Sequence, residues 1–446
     1  MVEHFIGNEE VGGSIPLDST ILILLIMAEG KFQNVRGTKD LFGDDIEQFN
    51  NIIDIAKKIA QNYCFSELQT PIFEFSEVFE RNLGQDSDIL TKEVYKFKDR
   101  SDNYLTLRPE FTAAIVRSYI ANGQLNQIAL QKFFSFGPIF RYDRPQKGRQ
   151  RQFHQINYEI FGAKNHYCDV EMIIMAQEIL AKLAINDQAI LKINHLGCAK
   201  TKEKYAVKLQ QYFTKYRNDL SQDSIARLET NPLRILDSKN QQDQALFVNA
   251  PKIKQFYSPE SKDNLQLITD LLDEFNIKYH LDQNLVRGLD YYSGLVFEFV
   301  NDHDGAQNTI LAGGRYDNLV AKMSGNDVAA IGFAAGVERL MMMTQISQIK
   351  KRPIAVNYVS DNEKLAAFKV ADFLRKHNYI CDFSFAGNFK RQMKKLGQKN
   401  CQFAIIIGEN EVKSQKLMIK NLDQGVECEI ANDDLLNFLS KNYENN

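Results

Sequence analysis

Two apolar runs, residues 133–142 and 152–162, lie either side of a polar, cationic stretch at 143–151. Segments this long and this close in sequence pair as one antiparallel hairpin, because a parallel pairing needs a crossover of a dozen residues or more. The chain is therefore committed to a sheet with long strands. From residue 140 it reads Phe-Arg-Tyr-Asp-Arg-Pro-Gln-Lys-Gly-Arg-Gln-Arg-Gln-Phe-His-Gln, with Arg141, Arg144, Lys147, Arg149 and Arg151 inside eleven residues. On a hairpin these cations can converge on a polyphosphate, to which the planar guanidinium fork is suited. A solvated loop would account for the loop charges. It would not account for Arg141 on an apolar strand, where an unpartnered cation is unfavourable.

Periodicity sorts the segments around the hairpin. Residues 44–63 read as an amphipathic helix with Ile46, Phe49, Ile52, Ile53, Ala56, Ile59 and Ala60 on one face. Asp44 and Glu47 stand at capping-box spacing. Pro71 inside the β-rich run 65–75 predicts a strand at an edge or interface, since proline cannot donate to a ladder. Short strands are expected at 95–97 and 104–107, and helices at 111–119 and 169–185. From about 196 to 265 the chain is helical, polar and rich in Lys, Gln and Asp, which predicts a helical insertion. Strand signals return at 285–300 and 310–314, and 330–336 reads as a strand running into a helix at 337–343. Beyond Pro353 the order strand, helix, strand, helix, strand over 354–407 predicts a separate small α/β domain with a parallel sheet, spanning 353–446.

Composition bounds the remaining choices. A chain of 446 residues, 44% of them hydrophobic, suits a soluble globular protein of several domains at about 100–200 residues each. The net charge of −3 exerts no global pull toward nucleic acid, so any such contact must come from local basic patches. The six cysteines form no C-x-x-C and the seven histidines no H-x-x-x-H, which argues against a zinc site; no metal ligand is assigned to a side chain. Scattered cysteines fit a reducing compartment, hence a cytoplasmic location. The apolar run at 21–27 is far below the ~18–20 residues that span a bilayer. Residues 1–20 carry Glu3, Glu9, Glu10 and Asp18 and no Lys or Arg, unlike a signal or transit peptide. Met27 is the expected working start, with 1–27 an N-terminal extension ahead of a domain over 28–350. Neither a P-loop nor a G-x-G-x-x-G is present.

Four further clusters carry chemistry. Leu-Arg-Pro-Glu-Phe-Thr at 107–112 sets a carboxylate, Glu110, two residues from a hydroxyl, Thr112, a pair that can hold an ammonium or simply close a turn. Residues 285–294 place Arg287, Asp290, Tyr291 and Tyr292 in an apolar stretch. Adjacent tyrosines on a strand face opposite ways, so one of the two is expected at a pocket unless the backbone bulges. Residues 311–319 contain paired glycines, Gly313 and Gly314, that would let a ligand approach the backbone. Residues 331–340 set small residues on a strand ahead of Glu338 and Arg339.

Together these clusters resemble one family. Phe140 and Arg141 with the cationic loop are similar to motif 2 of class II aminoacyl-tRNA synthetases, and residues 332–339 to motif 3. The 44–63 helix with the Pro71 strand resembles motif 1. Residues 285–294 resemble the signature peculiar to histidyl-tRNA synthetases, 311–318 their second one, and Thr-Asn-Pro-Leu-Arg-Ile-Leu-Asp-Ser-Lys at 230–239 a further segment of the same enzymes. The resemblance runs from about residue 34 to about 440. It implies an α+β class II core with an antiparallel sheet flanked by helices, a helical insertion, and a C-terminal anticodon-binding domain of the same synthetase subclass.

The resemblance also implies the chemistry. L-Histidine and ATP would form histidyl-adenylate and pyrophosphate, and the histidyl group would pass to the 3′ end of tRNA(His), with Mg²⁺ accompanying the phosphates. Arg141 and Arg287 would be catalytic, near the substrate carboxylate and the α-phosphate. Glu110, Thr112 and Gln155, with Phe111 beside them, would hold the α-amino group. Glu159 and Tyr292 would read the imidazole, and Tyr291 and Tyr316 would line the pocket. Arg149, Phe153 and Arg339 would join Arg141 in the ATP site, Phe153 stacking on adenine. Arg144 and Gln146 would meet the acceptor end of tRNA, and Lys390, Arg391 and Lys394 the anticodon arm. Asp143 stands where class II enzymes usually carry Glu, keeping the carboxylate with a shorter reach. His154 is expected to face away from Gln155 by strand alternation. A regulatory paralogue resembling the core but lacking the anticodon domain fits less well, given the tail, the insertion and Arg287. A homodimer through the motif 1 region is expected.

Overall fold

The computed structural model describes residues 33–80, 93–126, 130–146, 148–289, 291–301, 309–346, 351–385 and 387–443. Residues 1–27, expected as an N-terminal extension, lie outside them, as do Lys147 and Asp290. The chain forms two compact units that part after Ile346.

In the first unit the strands are β1 (Ser66–Glu67), β2 (Phe73–Phe75), β3 (Lys96–Lys98), β4 (Tyr104–Leu107), β5 (Gln131–Phe140), β6 (Gln152–Phe161), β7 (Ile190–His195), β8 (His280–Leu281), β9 (Ser293–Val300), β10 (Thr309–Arg315) and β11 (Ala330–Gly336). Eight of them make one sheet in the order β1-β5-β6-β11-β10-β9-β7-β8. Its six central strands are antiparallel, and β1 and β8 add in parallel at the edges. The long hairpin forms as expected, paired from Gln131–Phe161 to Phe140–Gln152.

The two-residue period of β6 divides the unit. Ile156, Tyr158 and Ile160 turn to one face and enter a core with Ile52, Ile53, Ala56 and Ile59 of the helix Asp44–Asn62, Ile173 and Leu180 of the helix Tyr167–Lys182, and Ile268 and Leu272 of the helix Pro259–Glu274. The last of these helices runs past residue 265 and packs on the main core, so the insertion ends before it. Gln155, Asn157 and Glu159 turn to the other face. There a second core joins Phe111, Ile115, Ile139 and Phe161 to Tyr205, Leu209, Phe213 and Ile235 of the insertion. The insertion is tied together by Asp243, whose carboxylate accepts from Ser221 N and Oγ, Ser224 Oγ and Ser238 Oγ at 2.5–2.8 Å.

Several local expectations need correction. Gly43, not Asp44, is the N-cap of the first helix, and no side-chain capping bond forms; a positive φ of 56° at Gly43 sets the entry instead. The 65–75 run splits at Pro71 into β1, on the edge of the large sheet, and β2, which joins β4 and β3 in a separate three-stranded sheet. Arg108 sews the break: its buried guanidinium donates to Thr70 O (2.8 Å) and Pro138 O (2.9 Å). Residues 285–289, 291 and 292 are not strand, and β9 begins only at Ser293.

The second unit contains β12 (Ile354–Tyr358), β13 (Cys381–Phe383), β14 (Phe403–Ile407), β15 (Lys416–Asn421) and β16 (Glu427–Ala431), ordered β13-β12-β14-β15-β16. The first three are parallel, but β15 and β16 are antiparallel, so the sheet is mixed. The link between β15 and β16 is too short for a crossover and turns at Gly425, φ +69°. The helix Phe389–Gln398 buries Gln392 and Leu396 and exposes Lys390, Arg391, Lys394 and Lys395. Among the described residues no helix is long and apolar enough to cross a membrane.

Candidate active site

On the Gln155–Glu159 face of the sheet lies a cavity of about 1350 Å³, walled by the sheet, by the residues that follow β4 and β5, by the loop before β9 and by the insertion. Of the sequence-derived residues, Glu110, Phe111, Thr112, Arg141, Arg149, Phe153, Gln155, Arg287, Tyr291, Tyr292, Tyr316 and Arg339 line it. Glu159 does not. It is 1% exposed and sits behind Thr112, Asn157 and Tyr316, which cover its end of β6.

That arrangement has a chemical consequence. Glu159 accepts from Thr112 Oγ1 (2.6 Å), Tyr316 Oη (2.5 Å) and Asn157 Nδ2 (3.0 Å). When Glu159 is ionised both hydroxyls spend their proton on the carboxylate, so each meets the cavity with lone pairs only. The wall there accepts hydrogen bonds and suits a ligand rich in N–H groups. Burial pushes the Glu159 carboxyl up to about 7, against the pull of these three donors. Close approach is possible because Gly332 of β11 has no side chain: a Cβ there would lie 1.5 Å from Glu159 Oε2.

Glu110 is buried as well, but both its oxygens accept from the backbone, Thr112 N (2.6 Å) and Ala113 N (2.8 Å), closing the start of the helix Thr112–Ala121. Phe111 buries its ring under the Arg108 guanidinium, 4.2 Å away. The glycine pair of β10 is not a ligand approach. Side chains at Gly313 and Gly314 would strike Gly332 O and Leu295 O, so these glycines let the strands pack closely.

The cations gather elsewhere on the wall. Arg141 lies just past β5, not on it, donating through Nε to Pro109 O (2.9 Å) with its guanidinium 5.5 Å from the Phe153 ring. Burial pulls its basicity below the usual value. Arg149 pairs with Asp143 at 2.8 Å, and Arg339 donates to Thr309 O at 2.6 Å. The shorter carboxylate of Asp143 thus holds a loop cation. Arg287 is ion-paired with Glu298 of β9, and its buried Nε has no partner among the described residues. Burial alone would lower its basicity, but Glu298 raises it above the ordinary value.

Tyr291 and Tyr292 both reach the pocket, their ring centroids 4.8 Å apart, which the irregular backbone before β9 allows and a strand would not. His154 faces away from Gln155, held by Glu338 through Nδ1 (2.7 Å) and backbone N (2.8 Å). Arg144, Gln146, Lys390, Arg391 and Lys394 are all exposed. The sequence reading missed Asn157, Glu298 and Thr309. The period of β6 between Gln155 and Glu159 could have found Asn157, and the lone charge in an apolar strand could have found Glu298.

An antiparallel sheet with helices on one face and a cation-rich pocket on the other, entered by a hairpin loop and closed by a strand running into a helix, defines the chain as a class II aminoacyl-tRNA synthetase. Comparison narrows the class. The profile described as "Histidyl-tRNA synthetase" matches residues 37–340, and one described as "Anticodon binding domain" matches 353–442. A histidine–tRNA ligase of Wolbachia pipientis wMel is 47% identical over 404 residues, covering 91% of this chain and 98% of the relative. One from Rickettsia bellii is 43% identical, covering 88% and 95%. The apo histidyl-tRNA synthetase of S. aureus superposes with a TM-score of 0.77 at 31% identity, covering 91% of this chain and 99% of that one. The chain belongs to the histidyl-tRNA synthetase family.

Proposed function

We propose that this protein activates L-histidine with ATP to histidyl-adenylate and transfers the histidyl group to tRNA(His). The observation that carries the reading is the acceptor-only wall formed where Glu159 takes the protons of Thr112 and Tyr316, beside Arg141 and Arg287. Histidine brings an α-ammonium and an imidazole N–H to that wall. An apolar analogue of the same shape would leave the buried acceptors unpaired, which is how a site of this kind rejects it. Glu159 acts through the two hydroxyls, with Gln155 and Tyr292 as further polar contacts. Glu110 holds the turn that presents Thr112.

In the first step a carboxylate oxygen of histidine attacks the α-phosphorus and pyrophosphate leaves. In the second, a 3′-terminal hydroxyl of tRNA attacks the carbonyl carbon and AMP leaves. Negative charge grows on the α-phosphate in the first step, and the fixed guanidinium groups of Arg141 and Arg287 stabilise it. Arg149 and Arg339 would hold the remaining phosphates, exchanging their Asp143 and Thr309 contacts for them, and Phe153 would stack on adenine. Mg²⁺ would arrive with the triphosphate. Among the described residues no cluster of three His, Cys, Asp or Glu could hold an ion alone. Glu298 is a single carboxylate of the kind that shares Mg²⁺ with phosphates.

Arg144 and Gln146 would meet the acceptor end, and Lys390, Arg391 and Lys394 the anticodon arm. Exposed Ile72, Phe73, Phe75, Phe97 and Tyr104, all on or beside the three-stranded sheet, support a homodimer through that face. Free cysteines support a cytoplasmic location. The test is pyrophosphate exchange into ATP with a panel of amino acids and no tRNA. Exchange with histidine alone is expected; exchange with none, from folded protein, would overturn the reading. Sedimentation at the mass of one chain would remove the dimer.

A further inference from the structure

The segment between β8 and β9 carries Arg287, Tyr291 and Tyr292 into the pocket, and its described residues, 282–289, 291 and 292, are in neither strand nor helix. Its carbonyls must find partners elsewhere. Asn194 Nδ2 donates to Leu285 O at 2.9 Å, from the end of β7. Leu285 N donates to Asp282 O at 3.0 Å within the segment, and two further carbonyls are met from the insertion. Lys202, in the first turns of the helix Ala199–Thr214, donates Nζ to Tyr292 O at 2.8 Å. Arg234, in the turn Pro232–Asp237, donates to Arg287 O at 3.3 Å; its side chain is 11% exposed. Lys252, also of the insertion, donates to the side-chain amide oxygen of Asn284, Oδ1, at 2.9 Å.

The backbone is shaped for these contacts. A Cβ at Gly288 would lie 3.2 Å from Arg234 Nη1, so glycine there lets the guanidinium lie against the chain. The insertion is also joined to the start of β9: Gly294 N donates to Gly197 O (3.1 Å) and Leu196 N to Gly294 O (2.6 Å). The two gripped carbonyls belong to the very residues whose side chains enter the cavity.

We propose that Lys202 and Arg234 are positioning residues for the amino-acid site: from the insertion, they set the pose of Tyr292 and Arg287 by holding the carbonyl of each. A charged donor on a carbonyl is a strong and directional restraint. Without it the loop is free to rotate the peptide and swing the side chain it carries. The insertion is then part of the amino-acid pocket, and whatever displaces it is felt at Arg287. The inference rests on the histidine-activating reading above.

The test is steady-state pyrophosphate exchange by the full chain carrying Lys202→Met or Arg234→Met, each keeping the length of the stem and losing the donor. The histidine KM is expected to rise about tenfold, while the ATP KM moves less than about twofold and the melting temperature holds within a few degrees. Lys202→Arg and Arg234→Lys, which keep a donor, should return the histidine KM to within about threefold of the parent. Equal rises in both KM values, no rise in either, or no rescue by the conservative variants would overturn the proposal. If one Met variant does not fold, the other decides by the same criteria. Unmutated protein that exchanges with no amino acid would sink the activity reading, whereas histidine exchange that both Met variants leave unchanged would sink only this inference.

Discussion

The pocket has two halves built on different principles. One is borne by the sheet: Gln155, Asn157 and Glu159 project from β6, and Gly332 faces them from β11. Strand alternation and ladder register place these groups, so the half positions itself. The other is borne by a loop: Arg287, Tyr291 and Tyr292 sit on irregular backbone gripped by Asn194, Lys202 and Arg234. A sheet-borne site is precise because its backbone already is. A loop-borne site is only as precise as the side chains that hold it.

The sharpest way to break this comparison is to remove one reacting group from the loop half. Arg287→Ala should lower adenylate formation about a thousandfold, as loss of a transition-state charge partner does, while tRNA binding measured by filter retention survives. If both fall together, the fold and not the site has failed. Next in size is the sheet half. Gly332→Ala should displace Glu159 and lower kcat/KM for histidine about a hundredfold, with overpacking that costs about 1–3 kcal/mol in denaturant melts. Little change in kcat/KM would mean that Glu159 has room this structure does not show.

A smaller effect comes from pH. Below about 7 Glu159 gains a proton and becomes a donor to its neighbours. Thr112 or Tyr316 can then turn its own proton into the cavity, against the N–H groups of histidine. The histidine KM should therefore fall severalfold as pH rises from 6 to 8, and Glu159→Gln should flatten that profile, separating it from the titration of free histidine. Stability runs the other way. The folded-state value lies above the ordinary 4.5, so the folded protein binds more protons between the two values. The contribution of Glu159 is full below 4.5 and lost as pH rises through 7. The smallest effect belongs to the second unit: Lys390→Ala, Arg391→Ala and Lys394→Ala should each raise the tRNA KM a few-fold and lower the salt slope of tRNA binding by roughly 0.7–0.9.

The same comparison explains what could be read from the sequence. The β5–β6 hairpin and the strand Ala330–Gly336 with the helix after it follow from period and turn chemistry, which are local. The 285–292 loop did not follow. Its apolar residues mimic a strand, and its true partners lie in the insertion, tens of residues away. The reading of β10 glycines as a ligand approach failed for a related reason: only the packed structure shows that Phe333 and Leu295 take the space. In the second unit β15 and β16 were missed because short strands with exposed alternate residues give weak signals. The catalytic roles proposed here came from the resemblance, and the bottom-up reading had left Glu110 and Thr112 open between ligand and turn. The structure shows Glu110 closing the turn.

Gly332 has one more consequence, for anyone who would retarget this enzyme to another amino acid. A single methyl at that position collides with Glu159, so on the reading proposed here the preference for a nitrogen-bearing side chain depends on an atom that is absent. Retargeting cannot proceed one residue at a time: replacing Gly332 first strands a carboxylate, and replacing Glu159 first leaves Thr112, Asn157 and Tyr316 with protons and no acceptor. The four positions around Glu159 would have to change as a set. That requirement is a barrier to evolutionary drift in substrate choice, and it marks the group as the natural unit for a combinatorial library.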